Sequence, residues 1–127
     1  MLDTNIVSEL IRDTYYDERI LQHSTSRLTI SSITEAEMQY GIARKPEARR
    51  LSRAAHAFLQ AVEICNFDSA AASSYGSLRS EYETKGIGLG NLDGLIAAHA
   101  LSLGLTLVTR DAALLKLSPW VNIETWR

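Results

Sequence analysis

Cysteine is almost absent from this chain. Cys65 stands alone among 127 residues, so no internal disulfide can form. Its place in the strand-like stretch EICNF reads as a small buried residue in a reducing compartment. Long apolar runs are missing too: none approaches the roughly 18–20 residues that a membrane span requires. The opening MLDTNIVSEL is acidic where an export signal would carry positive charge, so no signal peptide is expected and the cytoplasm is the expected location. Nor is there an excess of basic residues. Thirteen Lys and Arg against 15 Asp and Glu leave a net charge of −2. That excludes a protein that coats nucleic acid by bulk electrostatics. It does not exclude a nuclease, because an acidic pocket lowers the net charge while a local basic patch holds the substrate. No repeat, low-complexity tract or linker breaks the chain, and 46% apolar with 22% charged residues is ordinary for one globular domain, 1–127.

What is present is helical periodicity interrupted by short apolar runs. Leu2 belongs to a truncated first strand. Helices are expected over Thr4–Ile11, Asp17–Ser24, Thr34–Arg44, Glu47–Ala61 after Pro46, Asp68 or Ser69 to Thr84, Asn91–Leu103 and Ala112–Leu115. Gly104 is placed to end the apolar helix in a left-handed cap. Strands are expected at RLTIS (27–31), EICNF (63–67), TLVT (106–109) and Val121–Glu124. Strands alternating with helices imply a mostly parallel sheet covered on both faces, with sites at the carboxyl ends of its strands.

Four acids fall near that edge: Asp3, Glu37, Asp93 and Asp111. Each has an ordinary explanation. Asp3 and Asp111 suit helix N-caps, Thr34-x-x-Glu37 fits a capping box, and Asp93 complements a helix dipole. Two features argue for more. Glu37 falls on a stripe with Ile33, Ala36 and Tyr40 that reads as inward-facing, and Asp93 stands beside Leu92, Leu95 and Ile96 in a strongly apolar helix. Buried carboxylates are costly unless paired, hydrogen-bonded or bound to metal, and neither has an obvious Lys or Arg partner. Mg²⁺ or Mn²⁺ answers that need, since both take oxygen ligands and retain waters. A cation so held polarises a phosphate and activates a water.

The same residues resemble a known family. LDTNIVSEL, ISSITEAEMQYG, IGLGNLDGLIAAHALSLG and TLVTRD look like the four successive motifs of a PIN domain, and within that group of the VapC toxins of bacterial toxin–antitoxin pairs. The closing VNIETW is similar to the family's last strand. The resemblance covers essentially the whole chain. It implies a PIN-like three-layer α/β/α sandwich with a short, mostly parallel central sheet. It also implies a metal-dependent endoribonuclease, usually a homodimer, restrained by a cognate VapB-like antitoxin. Asp3, Glu37, Asp93 and Asp111 become the acids of the site, with Asn5 and Thr109 as polar support. Departures are Asn91 where Pro is common, Leu115 where Phe is frequent, and Asp111 where many relatives carry Asn. Asp111 then positions water as readily as it binds metal.

Other residues carry weaker signals. Arg44, Lys45, Arg49, Arg50 and Arg53 form the densest basic cluster, read either as a solvated helix face or as a rim that contacts RNA phosphates. Arg12 and Arg110 lie near acids and could join it. His99 falls on the stripe Leu92, Leu95, Ile96, Leu103 and reads as a core or interface histidine; His23 and His56 lack ligand spacing. Ser8 and Ser31 have no evident nucleophile partner. Tyr40, Tyr75, Trp120 and Trp126 read as packing residues. A haloacid-dehalogenase-type phosphatase would need a second Asp at position 5, which is Asn. A receiver domain would need a phosphoacceptor Asp in mid-chain, where Arg49–Ala61 has none. A PIN fold that binds RNA or protein without cutting is the remaining alternative.

Overall fold

A computed structural model describes residues 1–12 and 28–126. Helix α1 spans Thr4–Arg12, β1 Thr29–Ser31, α2 Ser32–Arg44, α3 Arg49–Ala61, β2 Glu63–Cys65, α4 Ser69–Thr84, α5 Asn91–Leu103, β3 Leu107–Val108, α6 Ala112–Leu115 and β4 Ile123–Glu124. The helix expected at Asp17–Ser24, with His23, lies outside the described residues.

Hydrogen bonds give the lateral order of the sheet. β1 pairs with β2 and β3 with β4, both parallel. Leu2 joins the two pairs: it forms a parallel bridge to Val108, and its N–H donates to the Thr29 carbonyl at 2.8 Å. The order is therefore β2, β1, Leu2, β3, β4. The chain builds outward to one side of Leu2, then crosses back and builds to the other.

Alternation along these short strands splits the core in two. Leu2, Ile30 and Val108 pack with Ile6, Val7 and Leu10 of α1, Met38 of α2, and Ala55 and Leu59 of α3. Met1 and Leu107 face the opposite way, onto Leu78 and Tyr82 of α4, Ile96 to Ala98 and Ala100 of α5, and Leu114 of α6. Successive residues of a strand point to opposite faces, so adjacent Leu107 and Val108 serve different clusters. The expected three-layer sandwich is what forms.

Two helix starts differ from expectation. α2 begins at Ser32 because Ser31 caps it, its Oγ accepting from the Ile33 N–H at 3.0 Å. Thr34 and Glu37 thus lie inside the helix and make no capping box. Residues 46–47 form a turn, so α3 opens at Arg49 instead of Glu47. The other caps match: Asp68 accepts from the Ala71 N–H, and Gly104 ends α5 at φ 65°.

A carboxylate site at the switch point of the sheet

Leu2 and Val108 sit where the strand order reverses, the place where open α/β sheets hold their ligands. The residue following each is polar: Asp3 after Leu2, Thr109 after Val108. Both are buried, Asp3 at 1% exposure. The Asp3 carbonyl starts α1, accepting from the Val7 N–H, but its carboxylate is not an ordinary cap. Oδ1 accepts from the neighbouring Thr4 N–H at 2.8 Å, and Oδ2 accepts from the Thr109 hydroxyl at 2.8 Å. Thr109 Oγ1 in turn accepts from the Asp111 N–H at 3.0 Å. Asp111 does cap α6, with Oδ1 accepting from the Ala113 N–H.

Glu37 reaches the same edge from α2. Thr4 donates its hydroxyl to Glu37 Oε1 at 2.7 Å and stands 3.2 Å from the Thr34 hydroxyl. Thr4 therefore holds both acids, Asp3 through its amide and Glu37 through its side chain. Sequence reasoning passed over it, and the only signal was its place immediately after Asp3. The stripe that singled out Glu37 is corrected. Ala36 is exposed and Tyr40 is 64% exposed, while α2 buries Thr34 and Met38. Tyr40 stacks beneath the Arg44 guanidinium instead of packing in the core. Leu92 is also exposed, at 46%; Asp93 is half-buried in the first turn of α5.

The electrostatics are one-sided. Burial raises the Asp3 pKa above its ordinary value; hydrogen bonds from Thr109 and Thr4 oppose this, and the charges of Asp111 and Glu37 add to the rise. Burial likewise raises Asp93, reinforced by Asp3 and Asp111. Asp3 thus feels Asp111 and Glu37, Asp93 feels Asp3 and Asp111, and among the described residues no cation acts on Asp3 or Asp93. Such a set of oxygen donors suits a hard divalent cation. Among the described residues no three acids, histidines or cysteines already stand at ligating spacing. The fit is to an ion that keeps part of its water shell, not to a closed cage.

The supporting residues divide. Thr109 is in the site, whereas Asn5 is exposed and stands apart from the hydrogen bonds joining the acids. Arg12, Arg44 and Lys45 line a groove of about 260 Å³ between α1, α2 and α3, with Thr4 and Glu37 at its acidic end. Arg49 and Arg50 do not line it; they are exposed at the start of α3. Arg110 is committed to structure: it pairs with Glu9 at 2.8 Å and donates from Nε to the Trp126 carbonyl at 2.6 Å. His99 is a core histidine, as expected, and Ser31 does have a partner, since His99 Nδ1 lies 2.7 Å from its Oγ.

Converging acids at the switch point of a parallel three-layer sheet define a PIN domain, and the PIN domain family model matches residues 1–118: the chain belongs to that family. Within it the chain groups with the VapC proteins. It is 38% identical to Ribonuclease VapC2 of Rickettsia felis, over 99% of this chain and 96% of the relative. It is 35% identical to the tRNA(fMet)-specific endonuclease VapC of Salmonella typhimurium, with the same coverage. Among solved structures, VapBC2 of Rickettsia felis bound to a promoter DNA fragment matches at TM-score 0.89 and 35% identity, covering 100% of this chain and 98% of that one.

Proposed function

We propose that this chain is the endoribonuclease toxin of a toxin–antitoxin pair, cleaving RNA phosphodiester bonds with Mg²⁺ or Mn²⁺. The observation that carries the reading is the set of four carboxylates at the carboxyl edge of the sheet, where Asp3 and Asp93 are pushed up by burial and by neighbouring acids, with no cation among the described residues acting on either. Asp3, Glu37 and Asp93 would hold the metal. Asp111, whose Oδ1 is committed to capping α6, would contribute Oδ2 or orient water. A divalent cation bound there supplies Lewis-acid polarisation of the phosphate and a water activated at neutral pH. Thr4 and Thr109 fix the carboxylates before substrate arrives, the pre-organisation that outer partners give metal ligands. The relatives' names supply the class of reaction: one is a ribonuclease, another an endonuclease specific for a tRNA.

Purified protein incubated with total cellular RNA tests the proposal. Cleavage that requires Mg²⁺ or Mn²⁺, stops with chelator and is lost in Asp3→Ala supports it. Intact RNA under every metal condition would leave a PIN fold that binds without cutting.

Two further expectations concern the surroundings of the acids. Thr4→Val removes the hydroxyl that donates to Glu37, together with its 3.2 Å contact to the Thr34 hydroxyl. It should lower cleavage about 10-fold or more, the usual cost of losing a partner that orients a ligand, with circular dichroism unchanged; full activity would show that Glu37 is held otherwise. The groove residues Arg12, Arg44 and Lys45 would contact RNA phosphates beside the scissile bond, with Arg49 and Arg50 as a more distant rim. Neutralising Arg44 and Lys45 together should reduce the salt slope of RNA binding by roughly one unit per lost contact. Neutralising Arg49 and Arg50 should reduce it less, and the opposite ranking would move the RNA path onto α3.

The partners proposed are a cognate VapB-like antitoxin and a second copy of the chain. VapBC and FitAB complexes among the structural neighbours support the first; light scattering of the purified toxin measures the second. No helix among the described residues is long and apolar enough to cross a membrane, and a cytoplasmic site of action fits an RNA substrate.

A further inference from the structure

One pair of polar side chains is buried away from the acids and takes no part in the chemistry above. Ser31 and His99 are both at 0% exposure, 68 residues apart in sequence, and share a hydrogen bond of 2.7 Å between Oγ and Nδ1. Neither can meet a substrate, so a nucleophile–base role is excluded. Their position suggests another. Ser31 is the last residue of β1 and the cap of α2, the helix that carries Glu37; the same Oγ accepts from the Ile33 N–H at 3.0 Å. His99 lies on α5, the helix that carries Asp93, a turn and a half further along. One hydroxyl oxygen therefore joins the two helices that bring acids to the site from either side of the sheet edge.

The surroundings fix this bolt in place. Phe67, just beyond β2, packs edge-on against the imidazole with ring centres 5.3 Å apart, and its N–H donates to Ser32 Oγ at 3.0 Å. Burial lowers the His99 pKa, against the opposing effects of the Asp68 charge and the Asn66 backbone. Burial thus favours the neutral ring. Nε2 is buried with no close partner among the described residues, the Asn66 backbone being the hydrogen-bonding group that acts on the ring. The close polar side-chain contact of the imidazole is the one Nδ1 makes with Ser31. A leucine of similar bulk would fill the space and release α2 from α5.

We propose that Ser31 and His99 are positioning residues for the metal site, setting the separation of Glu37 and Asp93 through the cap of α2 and the body of α5. The inference rests on the nuclease reading. Its test measures metal binding directly. Mn²⁺ affinity of the purified chain, by calorimetry without RNA, is compared for wild type, Ser31→Ala, His99→Leu, the double variant and His99→Asn. Asparagine offers an amide near the position of Nδ1 and can bond Ser31 as donor or acceptor. Each of Ser31→Ala and His99→Leu should weaken Mn²⁺ binding about tenfold. The double variant should lose no more than Ser31→Ala, which already breaks the shared bond together with the α2 cap. His99→Asn should recover most of the affinity, and kcat for RNA should follow the affinity while KM moves little. Wild-type Mn²⁺ affinity in both single variants, even with a lowered melting midpoint, would overturn the inference and leave the pair as core packing. Additive losses, or no rescue by asparagine, would overturn it as well. A wild-type chain that binds no Mn²⁺ would instead refute the metal reading itself. If His99→Leu fails to fold, Ser31→Ala and His99→Asn still decide: unchanged affinity in Ser31→Ala rejects the proposal, and a tenfold loss there that excess Mn²⁺ overcomes, with near wild-type affinity in His99→Asn, supports it.

Discussion

Replacing Asp93 by asparagine is expected to abolish RNA cleavage and, at the same time, to make the metal-free protein more stable. The two effects have one cause. Asp93 is half-buried and faces the charges of Asp3 and Asp111, with no opposing cation among the described residues. On the proposed reading its ionised form serves a metal and not the fold. Removing the charge would then delete a ligand whose contribution to transition-state charge stabilisation is several kcal/mol, so activity should fall about 10³-fold. The neutral amide keeps the shape and removes the repulsion, and the melting midpoint in chelator should rise by roughly a few degrees. The sign of the pH dependence follows. A carboxyl whose folded pKa is raised destabilises the fold above that pKa, and the penalty is relieved as pH falls through it toward the ordinary carboxylate range. Metal-free wild type should thus gain stability on mild acidification from neutral pH, and Asp93→Asn should show a flatter profile. Saturating Mn²⁺ should reverse the ranking, since a ligand at about 100 times its Kd stabilises by about 2.7 kcal/mol only the protein that binds it. A variant that is destabilised in chelator, or one that still cleaves RNA, would mean that Asp93 is structural.

The acids were legible in the sequence for a reason that does not depend on their partners. Asp3 and Asp111 close strands and open helices, and strand ends in a parallel sheet gather at one edge wherever the helices lie. Local pattern was enough to place them. What joins them was not legible, because each link spans the fold: Thr4 to Glu37 across 33 residues, Ser31 to His99 across 68, Asp3 to Thr109 across 106. Glu37 was singled out on a wrong stripe, yet it does reach Thr4 beside Asp3. Periodicity alone put Tyr40 inward with Ile33 and Ala36, but Ser31 caps α2 two residues earlier than expected, and α2 turns Thr34 and Met38 to the core. The alternating strands were too short to show in composition. Which residue serves which face shows only in the opposed packing of Met1 and Leu2 and of Leu107 and Val108. Basic residues behaved similarly. A cluster in sequence, Arg44 to Arg53, separates in space into two that line the groove and others on the exposed face of α3.

Gly94→Val is expected to be the most destabilising single change next to the site. Glycine inside a helix costs about 1 kcal/mol relative to alanine, so its presence at the end of the first turn of the apolar α5 calls for a compensating contact. The contact is α4. A Cβ at Gly94 would lie 2.8 Å from the Tyr82 hydroxyl oxygen and 3.2 Å from Tyr75 Cε1. Tyr82 is 3% exposed and cannot swing away, and the Tyr75 hydroxyl accepts from Arg79 at 2.7 Å. With neither ring free to yield, α5 would have to move off α4, and overpacking of this kind costs on the order of 3 kcal/mol for a branched side chain. The melting midpoint should drop by roughly 10 °C. Because Asp93 is the preceding residue, a displaced α5 should also weaken Mn²⁺ binding before it unfolds. Gly76 on α4 provides the comparison, since a Cβ there meets nothing within 4 Å. Gly76→Ala should raise the midpoint by the propensity gain of about 0.5–1 kcal/mol and leave Mn²⁺ binding alone. Equal midpoints for Gly94→Val and wild type would show that α4 and α5 can separate at no cost. The small residues of α5 would then not be what sets its depth against the sheet, nor the position of Asp93 at the edge.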